Sequence, residues 1–269
     1  MSSRFALNSA TTMHWPLPDL VAGCVRAGVR GVGLWREETS AFGLEKTAAL
    51  VRDAGLSVTS LCRGGFFNEP GWYDDNRRAI DEAATLGAPV LVLVSGGLLA
   101  GSRDLDGARA HVGDAVGRLV PHALAAGVRL AVEPLHPMFA ADRCVVSTLG
   151  QALDLVAPHP VEAAGVVVDT YHLWWDDQVW AQIERAGRHR RIACFQVADW
   201  VTPLPAGVLL GRGLPGDGCV DNRRFRRAVD AAGYTGPVEV EVFSASVWDR
   251  PGDEVLDAAL RGYRETVEG

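Results

Sequence analysis

The stretch GVRLAVEPLHPMF, residues 127–139, contains a run that reads as a buried strand and ends in a carboxylate, Glu133, with His136 three positions on. An acid at the mouth of a buried strand needs something to stabilise its charge. Working outward, short apolar runs of the same kind alternate with amphipathic helical runs from end to end. The strands are read at 5–9, 31–35, 56–61, 89–95, 128–133, 164–169, 191–198 and 237–243. The helices between them are read at 16–28, 41–54, 74–87, 107–126, 147–157, 177–188, 221–233 and 253–267. Four helical runs close on a glycine just before the next strand, in AAGVR, DAGLS, TLGAP and AAGYTG, as a helix C-cap requires.

Eight strand–helix units, each of about thirty residues, predict an α/β fold of the (β/α)8 TIM barrel type rather than an open doubly wound sheet. No linker, low-complexity tract or charge block divides the chain, so a single domain over residues 1–269 is expected. The first strand is not followed by G-x-G-x-x-G, which removes the main support for a dinucleotide site. GRGLPGDG at 211–218 lacks the strand-to-helix spacing and reads as a loop.

Composition excludes several classes. A net charge of −7 with no concentrated basic block argues against a nucleic-acid surface. No apolar run is long enough to span a membrane, and residues 1–15 lack a secretory h-region, so a soluble, cytoplasmic protein is expected. Cys24, Cys62, Cys144, Cys194 and Cys219 form no C-x-x-C pair and read as reduced thiols rather than a disulfide framework or a thiolate zinc site.

In such a barrel, chemistry sits at the C-terminal strand ends. Those ends bring Glu133, Asp169, Gln196 and Glu241 toward one mouth. A lone acid at a strand end serves equally as a helix cap or ion-pair partner. Three carboxylates converging on one mouth repel each other unless they take up protons or a cation lies between them. The set of three carboxylates and an amide oxygen is hard and all-oxygen, favouring Mn²⁺, with Mg²⁺ or Co²⁺ as alternatives, over zinc. In VEVEVF, alternation puts Glu239 and Glu241 on the same side; Glu241 is chosen as ligand because it lies nearer the strand's C-terminal end.

The series VEPLHP, VVDTYHLWWD, FQVADW, GRGLPGDGCVD and VEVEVFS resembles the xylose-isomerase-like TIM barrels of the sugar phosphate isomerase/epimerase group, also grouped with endonuclease-IV-like proteins. The resemblance implies a metal held by Glu133, Asp169, the position of Gln196, and Glu241, with Gln196 departing from the family's histidine. It implies His172 as a substrate contact and Glu133 and Glu241 as acid–base residues. Glu133 with His136, together with Gln196, is similar to the catalytic subunit of C-glycoside deglycosidases, which cleave 3-keto-glycosides by an elimination-type step. That likeness implies His136 as the base and leaves room for a small partner subunit; apart from it, the oligomeric state is open and a homo-oligomer is an alternative.

The expected activity is therefore proton abstraction next to a metal-polarised carbonyl of a carbohydrate substrate, ending in epimerisation, isomerisation or elimination. Arg212 reads as a contact to a ligand hydroxyl or phosphate, and Asp217 as that contact's neighbour or simply a brace for the loop. Trp35, Trp174, Trp175 and Trp200 supply apolar walls, and Arg63 and His14 are further pocket candidates. The last two loops carry no basic cluster, which favours a non-phosphorylated substrate. A DNA-repair endonuclease is disfavoured by the acidic charge and by only seven histidines. The remaining rival is a barrel that binds a sugar or a partner without catalysis.

Overall fold

The computed structural model describes residues 4–204 and 208–268. Its strands are β1 (Phe5–Asn8), β2 (Gly31–Trp35), β3 (Ser57–Gly65), β4 (Val90–Val94), β5 (Arg129–Glu133), β6 (Ala164–Asp169), β7 (Ile192–Val197), β8 (Asp199–Trp200), β9 (Arg212–Gly213) and β10 (Val238–Val240). Eight of them close a parallel barrel in the order β1-β10-β7-β6-β5-β4-β3-β2. The (β/α)8 reading holds.

Local chemistry explains most boundaries. Gly28, Gly87 and Gly127 end their helices in the left-handed conformation, where a side chain would be strained. Asp104, Thr148 and Asp221 start helices by accepting backbone N–H bonds on their side-chain oxygens. The helix expected at 41–54 is instead two, Arg36–Phe42 and Leu44–Asp53. Gly43 separates them with φ of 105°, outside helical space. The regular eighth barrel strand covers only Val238–Val240, although the Glu241 N–H still donates to the Val197 carbonyl at 3.2 Å. The GRGLPGDG segment is not wholly irregular: Arg212–Gly213 pairs antiparallel with Asp199–Trp200.

The main core lies between the outer strand faces and the helices. A smaller apolar cluster of Cys62, Val90, Val92, Ala131, Val167 and Cys194 lies apart from it. Strand alternation puts the polar residues two positions on from several of these, Glu133, Asp169 and Gln196, on the same inward side. Thus the apolar plug forms a floor beneath the mouth. Among the described residues no helix is long and apolar enough to cross a membrane.

Candidate active site

Register builds the polar layer. Asp169 is paired with Gln196, and Gln196 with Glu239, so three polar side chains from β6, β7 and β10 stand side by side. Glu133 ends β5 and Glu241 follows β10; all five residues are buried. Glu239 is the deeper of the two acids in VEVEVF. Its Oε2 accepts from Asn8 Nδ2 (3.2 Å), Ser60 Oγ (3.0 Å) and Gln196 Nε2 (3.3 Å). Since the Gln196 amide nitrogen is spent on Glu239, its oxygen must point the other way, and Oε1 has no partner among the described residues. Gly33 makes room for this layer: a Cβ there would come within 2.7 Å of Glu239 Oε2.

Arg212 answers part of the charge problem. Its Nη1 donates to Asp169 Oδ2 at 3.1 Å and Glu241 Oε2 at 3.2 Å, inside buried surroundings. The guanidinium carbon also lies 4.7 Å over the Tyr171 ring and 5.2 Å over Phe243. The expected ligand contact is thus also an internal counter-ion. Asp199, which sequence reading passed over, holds the loop that delivers Arg212: its carboxylate accepts from the Trp200, Val220 and Gly216 N–H groups, each at 2.9 Å. Asp217 braces the same loop, accepting from the Leu214 N–H.

One guanidinium does not balance three carboxylates. Burial, reinforced by Glu241 and Asp169, pushes the Glu133 carboxyl well above its ordinary range. Burial also raises Asp169, against the pull of Arg212, and pushes Glu241 up to about 7. Glu133 Oε1 is buried without a hydrogen-bond partner among the described residues. Two orphaned oxygens, Glu133 Oε1 and Gln196 Oε1, beside carboxylates whose charges repel, fit a divalent cation. Arg212 competes for two of the same carboxylates.

Glu133, Asp169 and His172 offer ligand atoms all within 4.8 Å of one another. His172 nevertheless reads as a donor. Its Nδ1 accepts the backbone N–H of His136 at 3.2 Å, so a neutral ring carries its proton on Nε2. Burial and the charge of Arg212 hold the ring's pKa well below normal, which keeps it neutral. A protonated Nε2 does not ligate a metal. Arg212 Nη2 approaches that N–H at 3.0 Å, an unfavourable donor–donor contact that an oxygen accepting from both would relieve.

His136 lies half-buried between Trp200, at 4.9 Å between ring centres, and Trp175, at 5.6 Å. Burial lowers its pKa. Its Nδ1 accepts the Met138 N–H at 3.3 Å, so the neutral ring presents an N–H at Nε2 and takes a proton only by giving up that long bond. Trp35, expected as an apolar wall, has a polar contact as well: its indole N–H donates to Asn8 Oδ1 (3.0 Å) and approaches Glu241 Oε1 (3.3 Å). Trp174 packs on Trp200. Arg63 stacks 3.9 Å over Phe66, and His14 is exposed on the rim against Trp248, with Nδ1 3.2 Å from the Trp248 carbonyl.

A profile of xylose isomerase-like TIM barrels matches residues 21–266. Protein SMc04130 of Sinorhizobium meliloti 1021 has a crystal structure that superposes with a TM-score of 0.96, at 45% identity over 100% of each chain. The IolI protein, whose crystal structure contains a zinc atom, superposes with a TM-score of 0.83 at 20% identity, over 98% of each chain, and that likeness shows the fold. An inosose isomerase of Halalkalibacterium halodurans is 26% identical over 144 residues, 52% of this chain and 49% of its own. The chain spans about half the length of the curated relatives it matches.

Proposed function

The chain belongs to the xylose isomerase-like TIM barrel family, and from that membership and the geometry of the mouth we propose that it is a metal-dependent isomerase or epimerase of a keto sugar or related cyclic polyol ketone. The observation that carries the reading is the pair of orphaned oxygens on Glu133 and Gln196 among carboxylates that Arg212 alone leaves under-neutralised. Glu133, Asp169, Gln196 and Glu241 would hold the cation, and their all-oxygen donor set favours Mn²⁺ over the zinc seen in IolI. When bound, the metal supplies Lewis acidity that polarises a substrate carbonyl and acidifies the neighbouring C–H.

The chain's own groups do the rest. Glu133 and Glu241 are separated around the barrel by β6 and β7, so they approach a bound ring from different sides. One takes the proton; return from the other side inverts the centre, and return to the adjacent carbon isomerises it. His172 Nε2–H and Arg212 donate to substrate oxygens, and Trp35 holds the Glu241 carboxylate in orientation. Loss of a β-substituent instead would give the lyase outcome that the deglycosidase resemblance implies, with His136 as base. Its engaged Nδ1 favours the carboxylates for that role.

The test is elemental analysis after Mn²⁺ loading, paired with solvent deuterium exchange into ketoses and inososes. A stoichiometric metal and exchange, both lost in Glu133→Gln and Glu241→Gln, are expected. Metal without exchange into any carbonyl sugar would favour a binding barrel, and no metal would overturn the reading.

A further inference from the structure

Across the barrel from β7, two cations stand without carboxylate partners among the described residues. Arg63 lies in β3 directly after Cys62, whose thiol approaches Glu241 Oε1 at 3.7 Å. Arg143 lies in the loop after β5 and acts electrostatically on both Glu133 and His172. Both guanidinium groups pack against one ring, Phe66, with Arg63 at 3.9 Å and Arg143 at 5.8 Å from its centre.

Like charges gathered on one ring repel each other, and burial of Arg63 adds to the penalty. Neither residue forms an ion pair among the described residues, and Arg63 Nε is buried with no hydrogen-bond partner. The neighbouring charges do not resolve this. Glu37 faces Arg63 but is exposed and beyond ion-pair distance, and Arg36 is occupied by Asp75 and Glu82. An oxyanion accepting from both guanidinium groups would satisfy the orphaned donor and cancel the repulsion.

We propose that Arg63 and Arg143 form an oxyanion subsite, so that the substrate carries a carboxylate or phosphate group at the end remote from the carbonyl. This rests on the isomerase or epimerase reading, with the carbonyl lying toward Asp169, Gln196 and Glu241 and the anion over β3, β4 and the loop after β5. The last two loops of the barrel, where the sequence shows no basic cluster, are not involved. The cations come from β3 itself and from the loop after β5.

Deuterium exchange on a neutral ketohexose, its terminal phosphate ester and a keto-uronate of the same length tests the subsite with the Mn²⁺-loaded protein. Preference for one or both anionic substrates is expected, and which one is used separates phosphate from carboxylate. In Arg63→Gln and Arg143→Gln the ratio of anionic to neutral kcat/KM should fall about tenfold or more, mainly through KM. Equal use of all three by wild type would overturn the subsite and leave the proposed function standing. If none exchanges, the proposed function fails, and calorimetry with inorganic phosphate and with malonate decides the subsite: binding of either probe weakened about tenfold or more in both variants upholds it, and unchanged or absent binding overturns it.

Discussion

The two ends of the barrel differ instructively. At the N-terminal face lies a cavity of about 790 Å³, lined by Thr59, Arg129, Arg190, Tyr234 and Glu239 among others. Several of its polar groups are spent on the protein itself: Arg129 donates to the carbonyls of Arg190, Ile192 and Ala164, and the Tyr234 hydroxyl to that of Pro237, while Thr59 Oγ1 and Arg129 Nε are buried without a partner among the described residues. At the C-terminal mouth, carboxylates repel each other and buried acceptors lack donors. Cavity volume therefore points one way and unmet chemistry the other. Chemistry is the better guide, because buried carboxylates held together with too little counter-charge call for a cation, and one unpartnered hydroxyl and one guanidinium nitrogen at the other end do not.

The strongest way to break this contrast is to cut at both ends. Glu241→Gln at the mouth should lower turnover by about a thousandfold or more if, as proposed, it removes a metal ligand and an acid–base group together. Tyr234→Phe at the floor should cost about 1 kcal/mol of stability and leave kcat/KM within about twofold. Steady-state kinetics beside urea unfolding reads both; a comparable activity loss in the floor variant would move the site.

Removal of Arg212 comes next. Arg212→Met leaves Asp169 and Glu241 buried without their cation, and a loss of about 3–5 kcal/mol is expected from denaturant unfolding in chelator. Mn²⁺ should recover part of that loss if both occupy the same carboxylates. No recovery would separate the guanidinium from the proposed metal site.

Gly33→Ala probes the layer beneath. Its Cβ would lie 2.6 Å from Asn8 Nδ2 and 2.7 Å from Glu239 Oε2, so about 1–3 kcal/mol of destabilisation is expected. A neutral result would mean that the Glu239 network gives way freely and does not hold the Gln196 amide in place.

The smallest effect lies on the rim. Burial pushes Glu38 from 4.5 up to about 7. Between those values the folded chain keeps a proton that the unfolded chain has released, so stability falls as pH rises through this window. Glu38→Gln should therefore raise stability at pH 8 by about 1–2 kcal/mol and change it little below pH 4.5, as thermal melts at the two pH values would read. An equal gain at both would mean that packing, not charge, distinguishes the variant.

How far the sequence reaches is clear from single residues. Gly87 and Gly127 marked helix ends, and the short apolar runs ending at Glu133 and Asp169 marked strand mouths, because helix capping and short buried strands are written in a few consecutive residues. The break at Gly43 was less legible, since the flanking pattern stays helical on both sides. The choice between Glu239 and Glu241 was beyond the pattern altogether; both face inward, and only the donors Asn8, Ser60 and Gln196 set Glu239 deeper.

The sequence by itself determined the eight strand–helix units and the set of oxygen-bearing side chains at their ends. Tertiary structure decided what each side chain does: Arg212 lying between Asp169 and Glu241, the Trp35 N–H on Glu241, the His136 amide fixing the His172 proton, and Arg63 meeting Arg143 on Phe66. Periodicity is a property of neighbours along the chain. These contacts join residues 29 to 206 positions apart for Arg212 and Trp35 with Glu241, and their geometry depends on where barrel closure sets each loop.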